Sequence, residues 1–182
     1  MGLNITAYRR AIPVADHVAK VKDNGLPETW CTLEAEWGDR GHVQAFVYAE
    51  FQSSIDGLIP GQCYVVDDTD SIRFAAGSYT GYNEWRDDLA RCVLGISAKD
   101  VFELAPQLGE RMAFLELINF ADNVGTIGPK AAKRLSADFI EHRARFVAAH
   151  VDDVGDRWAI KKYDSWASAF ALAAQGGLVD FG

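Results

Sequence analysis

Alternating apolar and polar residues predict β structure in the first part of the chain. Leu3, Ile5 and Ala7 alternate with polar residues, as in a half-buried strand. The same alternation runs on both sides of the turn-forming segment Gly38–Gly41. It predicts a hairpin over residues 30–48 with a four-residue loop.

Three shorter apolar runs predict further strands. "CYVV" and "SIRFAA" lie within or beside the irregular segment 50–76, where glycine and proline break the pattern. "LVDF" near the C-terminus predicts a last strand that pairs with the N-terminal sheet. The run "MAFLELINFAD" fits either a helix or a strand.

The second half of the chain has helical spacing. One apolar face runs from Tyr82 to Cys92, with Gly95 as a stop. A second helix is predicted from Pro129 to about residue 150, because proline suits a first helical turn. A third is predicted from about residue 156 to residue 175 and ends at a pair of glycines.

Early strands, late helices and one closing strand predict an α+β fold. We expect a small, mostly antiparallel sheet made of the N-terminal strand, the hairpin at 30–48 and the C-terminal strand. Three to four helices from the second half would cover it. The length of 182 residues predicts a single domain over 1–182.

The charge and the cysteines narrow the class of protein. The net charge is −8 with no basic run, which disfavours sequence-specific DNA binding. An acidic protein of this kind is compatible with docking onto a basic partner, as a nucleic-acid mimic does. Three widely spaced cysteines show no disulfide framework and favour a reducing cytoplasm. No apolar run approaches the roughly 20 residues of a membrane span.

The segment from Gly77 to Arg86 is the first candidate binding site. Its polar members are Ser78, Tyr79, Thr80, Asn83 and Arg86. Unpaired backbone N–H groups at a helix start attract anions, a tyrosine ring can stack on a base, and an arginine can pair with phosphate. The alternative is a capped helix start with no ligand.

A second segment, residues 119–128, has the same design. Asn119, Asp122, Asn123 and Thr126 offer hydrogen-bonding groups, and two glycines allow close backbone approach. The alternative is a long capped connection between helices. Both segments could present helix starts to one ligand.

His142 is the third candidate, since it lies on the apolar stripe of the helix from Pro129. Asp138, one turn earlier, or Asp122 could orient its imidazole for proton transfer in a hydrolase or transferase. The alternative is a hydrogen-bonded core histidine. Metal-ligand spacing, nucleophile motifs and cofactor fingerprints are missing, so we predict neither a metal nor a cofactor.

Four segments in order carry a resemblance to a known family. They are "GSYTGYNEWRDDLA", "ELINFADNVGTIGP", "DFIEHRARF" and "YDSWASAFALAAQGGLVDF". Together they resemble a family of uncharacterised proteins encoded in bacteriophages and prophages. That family often has serine where Ala121 stands and an acidic residue where Val124 stands. The resemblance implies a phage or prophage accessory protein in the cytoplasm of a bacterial host, and counter-defence as its context.

These observations favour a protein that acts by binding. It would sequester a small phosphorylated ligand or block a bacterial host protein, as a monomer or a homo-oligomer. A small hydrolase or transferase that uses His142 with Asp122 or Asp138 is the first alternative. An acidic nucleic-acid mimic is the second.

Overall fold

The computed structural model describes residues 2–31, 41–108, 112–150 and 156–182. Strands and helices occur in a mixed order along the chain. The strands are β1 Gly2–Tyr8, β2 Ala11–Val18, β3 Gly41–Gln44, β4 Gln62–Val66, β5 Ser71–Ser78, β6 Gly125–Ile127 and β7 Leu178–Phe181. The helices are α1 Tyr79–Leu94, α2 Ala98–Leu108, α3 Leu115–Ile118, α4 Pro129–Ala149 and α5 Asp156–Ala173. Short 3-10 helices cover Ala49–Ile55 and Asp68–Asp70.

The larger sheet has the strand order β5-β1-β7-β6, and every pair in it is antiparallel. β1 lies inside the sheet, and Leu3, Ile5 and Ala7 are fully buried as the alternation predicts. Ile5 is opposite Phe181 of β7. The predicted pairing of the C-terminal strand with the N-terminal sheet is therefore confirmed.

A second, three-stranded antiparallel sheet has the order β2-β4-β3. Its central strand β4 contains the predicted "CYVV" run. Residues 32–40 lie outside the described part of the chain, so the first strand and the turn of the predicted 30–48 hairpin are not described. The second half of the predicted hairpin contains β3, which pairs with β4.

The cysteine prediction needs a correction. Cys31 and Cys63 form a disulfide with their Cα atoms 6.2 Å apart, and Cys92 is the unpaired thiol. The two residues are 32 positions apart, and the second sheet brings them together. Wide spacing in sequence therefore does not exclude pairing here.

The helices pack on the larger sheet through aromatic side chains. The fully buried ring of Trp166 in α5 lies 5.0 Å from Phe74 of β5 and 5.6 Å from both Trp85 of α1 and Phe181 of β7. Large rings of this kind supply most of the area that such a core buries. The predicted α+β fold is confirmed. The strands form two antiparallel sheets and not one, because β3 of the predicted hairpin pairs with β4 in the second sheet.

Helix boundaries agree closely with the periodicity. Gly95 ends α1 in the left-handed conformation at φ 77°. Of the ambiguous run at residues 112–122, only Leu115–Ile118 is helical, as the one-turn helix α3. The elements β2, β6 and α2 were not expected. Within the described ranges, no helix is both long and apolar enough to cross a membrane.

Candidate functional site

The start of α1 is a capped helix end. The Ser78 hydroxyl accepts a hydrogen bond from the backbone N–H of Gly81 at 3.0 Å. Thr80 is exposed, and Tyr79 is half-buried against the core. Ser78 thus satisfies one of the unpaired N–H groups of the helix start.

The two sequence-predicted segments contact each other directly. The Asn83 side-chain amide donates to the Asp122 carboxylate at 3.0 Å. This bond joins the first turns of α1 to the loop between α3 and β6. The pairing leaves each residue with fewer hydrogen-bonding positions for a ligand.

Arg86 is a buried cation that joins the same two segments. Its side chain donates to the backbone carbonyls of Ile118 at 3.2 Å and Phe120 at 2.6 Å. The guanidinium carbon lies 5.1 Å from the ring centre of Tyr82 and 5.2 Å from that of Phe102. No carboxylate in the described ranges forms an ion pair with it. Carbonyl dipoles and ring faces therefore stabilise its charge.

A cavity of about 230 Å³ opens beside this contact. We call it the Arg86 cavity; its lining residues come from α1, α2, the first 3-10 helix and the loop after α3. They are Phe51, Arg86, Phe102, Asn119, Phe120, Ala121 and Asp122. Both predicted segments contribute to it. It is smaller than the roughly 300–1,000 Å³ of a typical ligand pocket, so it has room for one ring system.

Other predicted residues do not line the Arg86 cavity. Ser78, Tyr79 and Thr80 are at the helix cap, and Asn123 is exposed in the loop. Thr126 is fully buried in β6. Its hydroxyl has no hydrogen-bond partner among the described residues.

His142 lies apart from the Arg86 cavity. Its half-buried ring is 5.8 Å from that of Phe114 and does not line the cavity. The Asp138 carboxylate, which was expected to orient His142, accepts from the backbone N–H of Phe114 at 2.7 Å. Burial raises the pKa of Asp138 above its usual value. Asp138 therefore holds the start of α3.

Asp180 was missed by sequence reasoning. It faces a second cavity of about 350 Å³ whose described walls include the rings of Trp30, Phe46 and Phe181. Burial raises the pKa of the Asp180 carboxyl to about 7. An aspartate within the short apolar run "LVDF" looks like an ordinary solvent-facing strand residue, so the sequence carries no signal for this environment.

Lys162 is a second buried cation that was not predicted. Its ammonium donates to the Gly81 carbonyl at 3.2 Å and lies 5.4 Å and 4.7 Å from the ring centres of Trp85 and Trp158. Burial lowers the pKa of Lys162 to about 8. Its hydrogen bond to Gly81 links α5 to the first turn of α1.

Asp88, Cys92 and His150 converge where α1 meets the end of α4. His150 Nε2 lies 2.8 Å from one Asp88 carboxylate oxygen, and the Cys92 thiol donates to the other at 3.6 Å. Burial and the neighbouring Asp88 raise the pKa of Cys92 to about 11. The sulfur is therefore a protonated thiol near neutral pH and not an activated nucleophile. The i,i+4 spacing of Asp88 and Cys92 was the only sequence signal for this cluster.

Many acidic side chains of the described residues are already paired with basic ones. Asp68, Asp70, Asp87 and Asp164 each form an ion pair with an arginine. Asp56 contacts two basic side chains. A nucleic-acid mimic needs unpaired carboxylates in a phosphate-like row, and these five do not supply one.

Comparison with known proteins gives no relative from which a role could be transferred. No protein-family model, no curated protein and no solved structure matches this chain. The candidate site is therefore defined by its geometry alone.

Proposed function

We propose that the chain is a phage or prophage accessory protein that binds a small ring-bearing ligand in the Arg86 cavity. The observation that carries this proposal is the meeting of the two predicted segments in one cavity with aromatic, cationic and hydrogen-bonding walls. The sequence resemblance supplies the phage context, and counter-defence is the role it suggests.

The chemistry of the walls favours a planar, polar ring. Phe51, Phe102 and Phe120 offer ring faces or edges for stacking. Asn119 can donate and accept hydrogen bonds, and the Asp122 carboxylate accepts them. A nucleobase has such a hydrogen-bonding edge. We therefore propose a nucleobase-containing ligand, with any phosphate directed to solvent because the cavity holds only one ring system.

The proposed location is the bacterial cytoplasm, where disulfides are rare. The bond between Cys31 and Cys63 makes this part of the proposal directly testable. Bacterial cells are lysed into denaturing buffer that contains an alkylating agent, and the cysteines that were alkylated as free thiols are counted. Three thiols per chain fit a reducing location, whereas a single thiol means that the disulfide forms before lysis.

A thermal-shift panel tests the ligand. The panel contains nucleobases, nucleosides and mono-, di- and cyclic nucleotides. A ligand at 100 times its dissociation constant stabilises the fold by about 2.7 kcal/mol, which is easily detected. No shift with any member, at concentrations far above expected affinity, contradicts the proposed ligand class.

A matched pair of variants localises the binding. Phe102 is 38 % exposed and Trp158 is 58 % exposed, so both tolerate truncation. Phe102→Ala removes a wall of the Arg86 cavity and weakens binding by roughly ten-fold or more, since a stacked aromatic contributes about 1–3 kcal/mol. Trp158→Ala lies outside the cavity and leaves the affinity unchanged. Equal affinities in the two variants would contradict the proposed site.

A further inference from the structure

The cluster at the junction of α1 and α4 combines three side-chain types that bind transition metals. Asp88 and Cys92 are four residues apart on α1, so they project from one face. His150 follows the last residue of α4 as its C-cap. One candidate ligand atom from each residue lies within 4.8 Å of the other two. The Asp88 side chain is 42 % exposed, so an ion from solvent can reach the cluster.

The hydrogen bonds of His150 fix its ring orientation. Nδ1 lies 2.8 Å from the backbone carbonyl oxygen of Phe146, which can only accept, so Nδ1 carries a proton. The ring also stacks on Phe146 at 4.2 Å. Nε2 then faces Asp88 Oδ2 at 2.8 Å. Because both atoms otherwise present lone pairs, a cation must lie between them, either a proton or a metal ion.

This orientation is the one that metal-bound histidines adopt. A ligating histidine usually donates its other ring N–H to a backbone carbonyl or a carboxylate. A simple ion pair between His150 and Asp88 has no need of a thiol. The Cys92 sulfur nevertheless lies 3.6 Å from the second Asp88 oxygen.

We propose that Asp88, Cys92 and His150 bind one zinc ion. Four-coordinate zinc, with bonds of roughly 2.0–2.3 Å, places its ligand atoms roughly 3.3–3.6 Å apart, so small side-chain movements convert the observed cluster into a site. Sulfur and imidazole ligands select zinc over magnesium and calcium. On binding, two protons leave to solvent, the thiol proton of Cys92 and the proton shared between His150 Nε2 and Asp88, and water completes the coordination. This site is independent of the proposed ligand cavity.

Cobalt spectroscopy of the full chain tests the site. Co²⁺ is titrated into metal-free protein in non-reducing buffer, and a thiolate-to-cobalt charge-transfer band is expected in the near ultraviolet. Because Cys31 and Cys63 are paired, a thiolate band reports Cys92. One equivalent of Zn²⁺ abolishes the band, and Mg²⁺ does not.

Ligand and control variants assign the signal. Cys92→Ser abolishes the charge-transfer band, and Asp88→Asn and His150→Gln each weaken zinc binding roughly ten-fold or more. His142→Gln, on α4 but outside the cluster, keeps the band and the affinity. A folded wild-type protein without the band overturns the proposal, and so does a band that persists in Cys92→Ser.

A second measurement covers the case in which Cys92→Ser does not fold. Alkylation of Cys92 in the wild-type protein is followed with and without metal. Zn²⁺ slows the labelling at least ten-fold, because the bound sulfur is no longer available, and Mg²⁺ has no effect. An equal labelling rate with and without Zn²⁺ overturns the proposal.

Discussion

Two charged side chains on α1, two residues apart and therefore on roughly opposite faces of the helix, have different roles. Arg86 is only 7 % exposed, and its hydrogen bonds hold the backbone at Ile118 and Phe120. Asp88 is 42 % exposed and converges with Cys92 and His150 at the surface. The first group mainly stabilises the fold and shapes a cavity, whereas the second has side chains directed at a common point. The two side chains differ in how deeply they are buried and in where they point, and residue type alone reveals neither.

Removing Arg86 gives the largest expected effect. Arg86→Ala leaves the Ile118 and Phe120 carbonyls unpaired and opens a void between Tyr82 and Phe102. We expect a loss of roughly 3–5 kcal/mol in the free energy of unfolding, measured by urea denaturation. Arg91→Ala is the control: its side chain is 62 % exposed, and its ion pair contributes about 1 kcal/mol or less. Equal losses in the two variants would contradict the structural role of Arg86.

The next largest effect is the dependence of the free energy of unfolding on pH, which we assign to Asp180. Its pKa is about 7 in the folded chain, above the usual value of about 3.9 for an unfolded chain. The folded state therefore binds more protons between these values, and the free energy of unfolding falls as pH rises from about 4 to about 7. The expected fall is on the order of a few kcal/mol.

Denaturation at several pH values checks this prediction. Asp180→Asn removes the titrating group and should flatten the decline. Asp164→Asn, which changes an ion-paired surface carboxylate, should keep the wild-type slope. If wild type and Asp180→Asn show the same dependence on pH, the assignment of the decline to Asp180 is wrong.

The Asn83–Asp122 contact gives a smaller effect. Asn83→Ala removes a partly buried hydrogen bond to a carboxylate, for which we expect a loss of about 1–2 kcal/mol. A double-mutant cycle with Asp122→Ala should show a coupling of similar sign and about 1 kcal/mol. Strict additivity of the two losses would show that the contact does not join the segments in solution.

The cap at Ser78 gives the smallest of these effects. Ser78→Ala removes the hydroxyl that accepts from Gly81, which costs about 1 kcal/mol in a typical N-cap. Thr80→Ala, at an exposed neighbouring position, should stay within about 0.5 kcal/mol of wild type. Neither change should alter ligand affinity, because neither residue lines the Arg86 cavity. A clear loss of affinity in Ser78→Ala would extend the binding site to the helix cap.

Periodicity predicted the long helices α1 and α4 and the first strand β1 well, because each buries one regular face that apolar spacing marks. β2 is different: of its residues only Val14 is buried, so no alternation marks it. The pairing of Cys31 with Cys63 depends on how the second sheet folds, which spacing cannot show.

The candidate site was predictable only in part. Small polar residues near helix starts marked the two segments, but their contact depends on tertiary packing across 39 positions of sequence. His142 was a candidate because it lies on the apolar stripe of its helix. His150 instead reaches Asp88, 62 positions away, and only the packing of α4 against α1 creates that cluster. Residue type identified candidates, and packing decided their roles.

The most direct test of the account is the location of ligand binding. Side-chain amide resonances of ¹⁵N-labelled protein are followed while the ligand with the largest thermal shift is added. Asn119 lines the Arg86 cavity, whereas Asn24 is exposed in the N-terminal region. The account predicts a saturable shift of the Asn119 amide and no change at Asn24. An unchanged Asn119 amide at saturating ligand would contradict it.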